Sequence, residues 1–209
     1  MKVQQSCVGV SADRIVGLYD RHALSWDTGR DRSLFERPWL DRFSELVVAG
    51  GSIVDLGCGA GEPIARHLIE QGFRLTGVDA SKAMIAMCRD RFADQTWIVG
   101  DMRTLDLGCR FDGIVAWDSF FHLTQDGQRL MFPIFRHQSQ PNAALMFTSG
   151  PRQGEAIGTY EGEPLFHASL DPDEYRALLH EHGFEVVMHV AEDPECGRHT
   201  IWLARRCLR

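Results

Sequence analysis

Apolar residues at Ile15, Tyr19, Ala23 and Trp26 recur every three or four positions, with Asp13 and Asp20 on other faces, so the segment from Ser11 predicts a helix with one buried side. Residues 1–10 show no such period and read as a loose tail, and charge and turn residues fill 27–32. A second helix over 38–48 would bury Trp39, Leu40, Phe43, Leu46 and Val47. Pro38 suits its start, and Gly50 and Gly51 end it.

From residue 52 the pattern changes to short apolar runs alternating with one-face stripes. Strands are predicted over 52–56, 74–78, 96–99, 111–117 and 143–148. Between them, helices run from near Glu62 to Gln71 with Gly72 as stop, and from the cap Ser81 with Met84, Ile85, Cys88 and Phe92 on one face. A further helix covers 124–138, bent or interrupted by Pro133. Residues 150–169 break the rhythm: Pro151, Gly154, Gly158, Gly162 and Pro164 mark a loop excursion, too long for a simple connection and so a functional candidate. Asp171, Pro172, Glu174 and Gly183 then bracket a well-signalled helix, and strands over 184–190 and 200–204 close the chain as a hairpin. This alternation implies an α/β protein with a mostly parallel sheet, helices on both faces and right-handed crossovers, whose ligand lies at the carboxyl ends of the strands.

Composition narrows the setting. A chain of 209 residues with 44% hydrophobic and 24% charged residues is large enough for one core. The expectation is a single domain, with 1–49 supplying a tail and lid helices and 50–209 the sheet. The net charge of −7 argues against a nucleic acid partner, which favours a basic face. Six cysteines at 7, 58, 88, 109, 196 and 207 form no CxxC pair, so neither a disulfide framework nor a zinc site is expected. The opening MKVQQSCVGV has no apolar signal core, and no run approaches the ~20 apolar residues of a membrane span. A cytoplasmic protein without a membrane partner is the expectation, and nothing here predicts an oligomeric state.

The candidate chemistry centres on residues 53–63, IVDLGCGAGEP, which read as a strand, a tight glycine turn and a helix start. A dinucleotide fold prefers GxGxxG, whereas this turn is GxGxG with Glu62 where the third glycine would fall. VDLGCGAG, then GVDAS, VGDM and FDGIVAWDSFFHL in that order, resemble the motifs of the class I S-adenosylmethionine-dependent methyltransferases over about residues 50–205. The resemblance implies a Rossmann-like, seven-stranded sheet with an antiparallel C-terminal strand. It also implies S-adenosyl-L-methionine as cofactor, with S-adenosyl-L-homocysteine as product.

In that family pattern Gly57, Gly59 and Gly61 approach the methionine moiety, and Asp55 holds the turn and the amino group. Asp79 takes the ribose hydroxyls and Asp101 the adenine amino group, while Ala80 and Met102 line the adenine slot. Trp117 and Asp118 stand at the end of the fourth strand, and residues 119–122 beside the transferred methyl. Methyl transfer needs no covalent intermediate, only alignment, exclusion of water and, for a protonated acceptor, a base. His122 has a suitable ordinary pKa for that task, or else is a hydrogen-bonded residue opening the next helix. Tyr160 is the second catalytic candidate. Substrate contacts are expected from Asp118, Phe121, His122, Tyr160, Phe166 and His167. Tyr19 and Trp26 form either a cofactor lid with ring faces suited to a sulfonium or a packing stripe.

Absences matter too. No N/D-P-P-Y/F segment follows strand four, no Pro-Cys pair is placed for cytosine methylation, and TSGPRQG lacks the partners that would make Asp118 part of a magnesium site. The expected activity is metal-independent methylation of a small molecule at O, N or S. The competing readings are an NAD(P)-dependent oxidoreductase on a similar sheet and a non-catalytic adenosylmethionine-binding module.

Overall fold

The computed structural model describes Ala12 and residues 14–208; the expected tail over 1–10 and Asp13 lie outside the described residues. The strand Ser52–Leu56 (β1) is apolar almost throughout because both of its faces are covered. It pairs in parallel with Arg74–Asp79 (β2) on one side and Phe111–Ala116 (β4) on the other. Thr96–Val99 (β3) extends the sheet beyond β2, and Ser139–Ser149 (β5) extends it beyond β4, both in parallel. His199–Arg206 (β9) then runs antiparallel to β5, and Phe184–Asp193 (β8) pairs antiparallel with β9. The sheet order is β3-β2-β1-β4-β5-β9-β8, seven strands with β9 reversed, as the sequence implies. Strand order turns back between β1 and β4, so a crevice opens at their carboxyl ends.

Side chains alternate between two cores because successive strand residues face opposite ways. Ile53, Val115 and Met146 meet Arg37–Leu46 (α3), Ile64–Glu70 (α4) and Lys82–Arg91 (α5) through Trp39, Phe43, Leu68 and Ile85. Val54, Ile114 and Leu145 meet Gln125–Gln138 (α6) and Pro172–Glu181 (α7) through Phe132, Phe135, Tyr175 and Leu179. Of the bend or interruption expected at Pro133, the interruption does not occur: α6 continues through it. Proline removes one helical donor, but Met131, Phe132 and Phe135 are fully buried and hold the helix to the sheet.

Two segments differ from expectation. The N-terminal helix is two helices, Ile15–Arg21 (α1) and Ala23–Gly29 (α2), divided at His22 with φ −107° and ψ 18°. The excursion 150–169 is an ordered hairpin, Gly154–Tyr160 (β6) against Glu163–Ser169 (β7). Its two-residue turn, Glu161 and Gly162 with φ of 49° and 78°, has the handedness that suits a hairpin. Glycines inside β6 and its exposed faces hide the strand from any periodicity test.

The first two helices are pinned to the sheet's upper edge. The Asp20 carboxylate accepts from Ser81 Oγ at 2.8 Å and from the Ala83 N–H at 3.0 Å, adding a cap to α5. Asp27 is buried and accepts from Arg91 Nη1 at 2.6 Å, while the same nitrogen donates to the Ala60 carbonyl at 3.0 Å. Helices α1 and α2 are thereby tied to the glycine turn itself.

Candidate functional site

Three adjoining spaces occupy the crevice. An inner cavity of about 150 Å³ lies between the ends of β1, β2 and β3 and the lid, bordered by Gly57, Gly59, Asp79, Ala80, Asp101 and Met102. A cleft of about 50 Å³ over the glycine turn is bordered by Asp55, Trp117 and Arg30. An outer cavity of about 310 Å³ is bordered by Phe121, His167 and His199. Tyr19 and His122 wall both the inner and outer cavities.

The three glycines of the turn have different reasons to be glycine. Gly57 has φ +77°, and a Cβ there would sit 2.2 Å from the Ser119 Cβ. Ser119 is held in that position by donating from Oγ to the Leu56 carbonyl at 2.6 Å. At Gly61 a Cβ would press on Phe92 at 3.0 Å, so this residue serves packing rather than the cavity. Gly59 alone faces open space, its nearest neighbour being Trp26 Nε1 at 3.8 Å. Gly57→Ala is expected to lower unfolding free energy by about 1–3 kcal/mol through overpacking, measured by urea denaturation. Ser119→Gly in the same chain should recover the part of that loss due to the clash, leaving the part due to the positive φ, and a purely additive double variant would contradict this steric account.

Asp79 ties strand to turn: Oδ2 accepts the Gly59 N–H at 3.0 Å and Oδ1 the Ser81 N–H at 2.8 Å. Burial raises its pKa, and those two N–H groups oppose the shift. Asp55 is fully enclosed, and burial, then the Asp79 charge, push it up to about 7. Asp101 is held differently. It accepts from Arg103 Nη2 at 2.6 Å and from Nε at 3.0 Å, which lowers its pKa and occupies much of the acceptor capacity assigned to adenine.

Of the two readings of His122, a base or a hydrogen-bonded residue opening the next helix, the geometry matches the second. Nδ1 lies 2.8 Å from the Phe166 carbonyl, which only accepts, so Nδ1 carries the hydrogen. Nε2 must then accept from the Tyr19 hydroxyl, 2.9 Å away. Burial pushes its pKa down to about 4, leaving a neutral and weakly basic ring with no free lone pair. Tyr19 is in turn kept protonated by burial and by the Asp118 and Asp79 charges. Its hydrogen is committed to His122, so toward a ligand Tyr19 offers oxygen lone pairs.

The remaining candidates divide. Tyr19 and Trp26 meet edge to face at 5.1 Å as part of the cavity wall. His167 lies 4.9 Å from His122, ring to ring, and Phe121 is 5.1 Å from His167. Tyr160 reaches this layer through contacts with Tyr19 at 6.3 Å and Trp26 at 5.5 Å and borders none of the three spaces. Phe166 turns its ring away, fully buried against Ile15 and Ala168, and contributes only its carbonyl. Tyr160 ends β6 and Phe166 lies in β7, and the alternation of each strand sends neighbouring side chains to opposite faces.

Sequence reasoning missed Arg30, His199 and Arg103. Arg30 borders the glycine cleft and pairs with the fully buried Glu36. Nearby, the buried Trp117 Nε1 has no hydrogen-bond partner among the described residues, an orphaned donor that a ligand carboxylate in the cleft would satisfy. Arg30 looks like one more charge in a polar stretch, and no local signal distinguishes it. Among the described residues no three metal-ligating side chains converge, and no helix is long and apolar enough to cross a membrane.

Known proteins share this architecture. A family described as a methyltransferase domain matches residues 53–140, from β1 into β5. An O-methyltransferase from Aspergillus nomiae is 25% identical, with 67% of each chain covered. The chain spans about a third of the length of two further curated relatives, 33% and 34%. An amino pentose methyltransferase from Micromonospora echinaspora, solved with SAM, superposes with a TM-score of 0.68 at 19% identity, over 89% of this chain and 96% of that one. A 1,6-didemethyltoxoflavin-N1-methyltransferase from Burkholderia thailandensis does so with 0.70 at 19% identity, over 99% and 92%. At such identities the likeness is one of fold.

Proposed function

We propose that the protein, whose residues 53–140 match a family described as a methyltransferase domain, transfers a methyl group from S-adenosyl-L-methionine to an O, N or S atom of a small molecule. The observation that carries this reading is the coupling of the glycine turn to Asp79 through the Gly59 N–H, with Asp101 and Met102 at the next strand end bordering the same cavity.

The residues present fit the cofactor. Asp79 and the Ala80–Met102 slot suit an adenosine, the orphaned Trp117 Nε1 and Arg30 suit a carboxylate in the cleft, and Asp55 suits an ammonium. When bound, the cofactor supplies a methyl on a sulfonium, displaced in line by the acceptor's lone pair. Tyr19 and Trp26 present oxygen lone pairs and an indole face to that positive charge. His122 fixes the Tyr19 hydroxyl, and α1, α2 and the β6–β7 hairpin exclude water. An outer cavity bordered by Phe121 and His167 adjoins the inner one and leaves room for an acceptor, which favours a catalytic protein over a binding module, although Tyr160 does not join His122 and His167 there. An O-methyltransferase and N-methyltransferases both occur among the similar proteins, so they leave the acceptor atom open.

Titration calorimetry with S-adenosylhomocysteine tests the cofactor assignment. One site per chain is expected, and no binding by folded protein at about 1 mM ligand refutes it. Transfer of a labelled methyl onto a pooled metabolite extract then tests the activity and identifies the acceptor.

A further inference from the structure

Trp26 and Asp118 are the two residues that border all three spaces, the inner cavity, the glycine cleft and the outer cavity. A methyl passing from donor to acceptor crosses this junction, which is walled by an indole and a carboxylate. Asp118 is held there with φ 49°, its N–H donating to Thr148 Oγ1 at 2.9 Å and its carboxylate 3.0 Å from His199 Nε2.

The other His199 nitrogen, Nδ1, lies 2.9 Å from the Cys196 carbonyl. A carbonyl and a carboxylate both accept, so the ring donates from both nitrogens and is an imidazolium. Burial opposes that charge, but Asp118, the Cys196 carbonyl and Glu36 outweigh it and hold the pKa above its ordinary value. Glu192 and Arg198, which also border the outer cavity, pair with each other at 3.3 Å. The ring is stacked on Trp117 at 5.4 Å, with Phe35 at 5.5 Å. With no lone pair free, His199 cannot take a proton from an acceptor. What it does is fix the Asp118 carboxylate, whose other lone pairs remain for the junction.

Resting on the adenosylmethionine reading, we propose that His199 is a positioning residue that holds Asp118 at the methyl-transfer junction to receive an amine acceptor. The amine N–H donates to Asp118, which turns the nitrogen lone pair toward the methyl. That lone pair forms the C–N bond, the C–S pair leaves with sulfur, and the positive charge passes from sulfur to nitrogen; the proton stays on the ammonium product until water takes it. Asp118 and Trp26 favour positive charge at both ends of this path. An anionic phenolate or thiolate would instead meet carboxylate repulsion.

Sinefungin, which carries an ammonium where the cofactor carries its methyl sulfonium, probes this junction without any acceptor in hand. Its affinity is compared by calorimetry with that of S-adenosylhomocysteine, which has no group there. Asp118→Asn should weaken sinefungin about tenfold or more while leaving S-adenosylhomocysteine within about twofold, and Asn tolerates the φ of 49°. His199→Ala should give part of that selective loss, and His199→Gln, which keeps an N–H donor for Asp118, should restore it. An unchanged ratio of the two affinities in Asp118→Asn or His199→Ala, or no rescue by Gln, overturns the proposal. Failure of the wild-type protein to bind either compound overturns the cofactor reading instead.

Discussion

Asp79→Ala weakens S-adenosylhomocysteine binding by about a hundredfold or more while the protein remains folded. Two charge-assisted hydrogen bonds to ribose hydroxyls are each worth about 1.5–3 kcal/mol, and about 3 kcal/mol is already a hundredfold. The same carboxylate also holds the Gly59 N–H, so its loss releases the turn as well. Asp79→Asn should be nearly as damaging, because donors approach both carboxylate oxygens and an amide presents one of them with a second donor. Asp101→Ala is the contrast. Its carboxylate is engaged by Arg103 and partly exposed, so a loss below about tenfold is expected. Calorimetry on the three variants decides the matter, and an Asp79→Ala affinity within about threefold of wild type would remove Asp79 from the cofactor site.

Stability should carry two opposing pH dependences from buried groups. His122 has its folded pKa depressed to about 4, so the unfolded chain binds a proton that the native state refuses. Its contribution is whole above about pH 6.5 and is lost as pH falls toward 4, on the order of 3 kcal/mol. Asp55 is raised to about 7, so its contribution is present below about pH 4 and is lost as pH rises through 7, by a similar amount. The two offset each other in the wild type, and variants separate them. Relative to wild type, His122→Asn should gain on the order of 3 kcal/mol between about pH 7.5 and 4.5, and Asp55→Asn should gain in the opposite direction. Urea unfolding at the two pH values measures both differences. A pH-independent difference for either variant contradicts its burial as an uncharged group.

Those two residues show how unevenly the site can be read from sequence. Asp55 and Asp79 stand at the ends of apolar strands, and the strand period places such residues at the carboxyl edge of a sheet wherever it is built. His122 is placed near the methyl by the same logic, but its tautomer and weak basicity come from Tyr19, 103 positions away, and from the Phe166 carbonyl, 44 away. The 150–169 segment carries glycines that local rules treat as loop, whereas pairing across the Glu161–Gly162 turn makes it a hairpin.

By itself, then, the sequence determined the alternation of strands and helices over 52–148, the glycine turn and the acidic strand ends, because each is written in the spacing of neighbouring residues, while the reversed last strand came from the family resemblance. The tertiary structure alone decided which side chains meet in the crevice. Asp118 and His199 are 81 positions apart and Arg30 stands in an ordinary polar stretch. Their charge states, and the junction that Asp118 and Trp26 form, depend on burial and on partners brought together by folding, and neither is a property of any local segment.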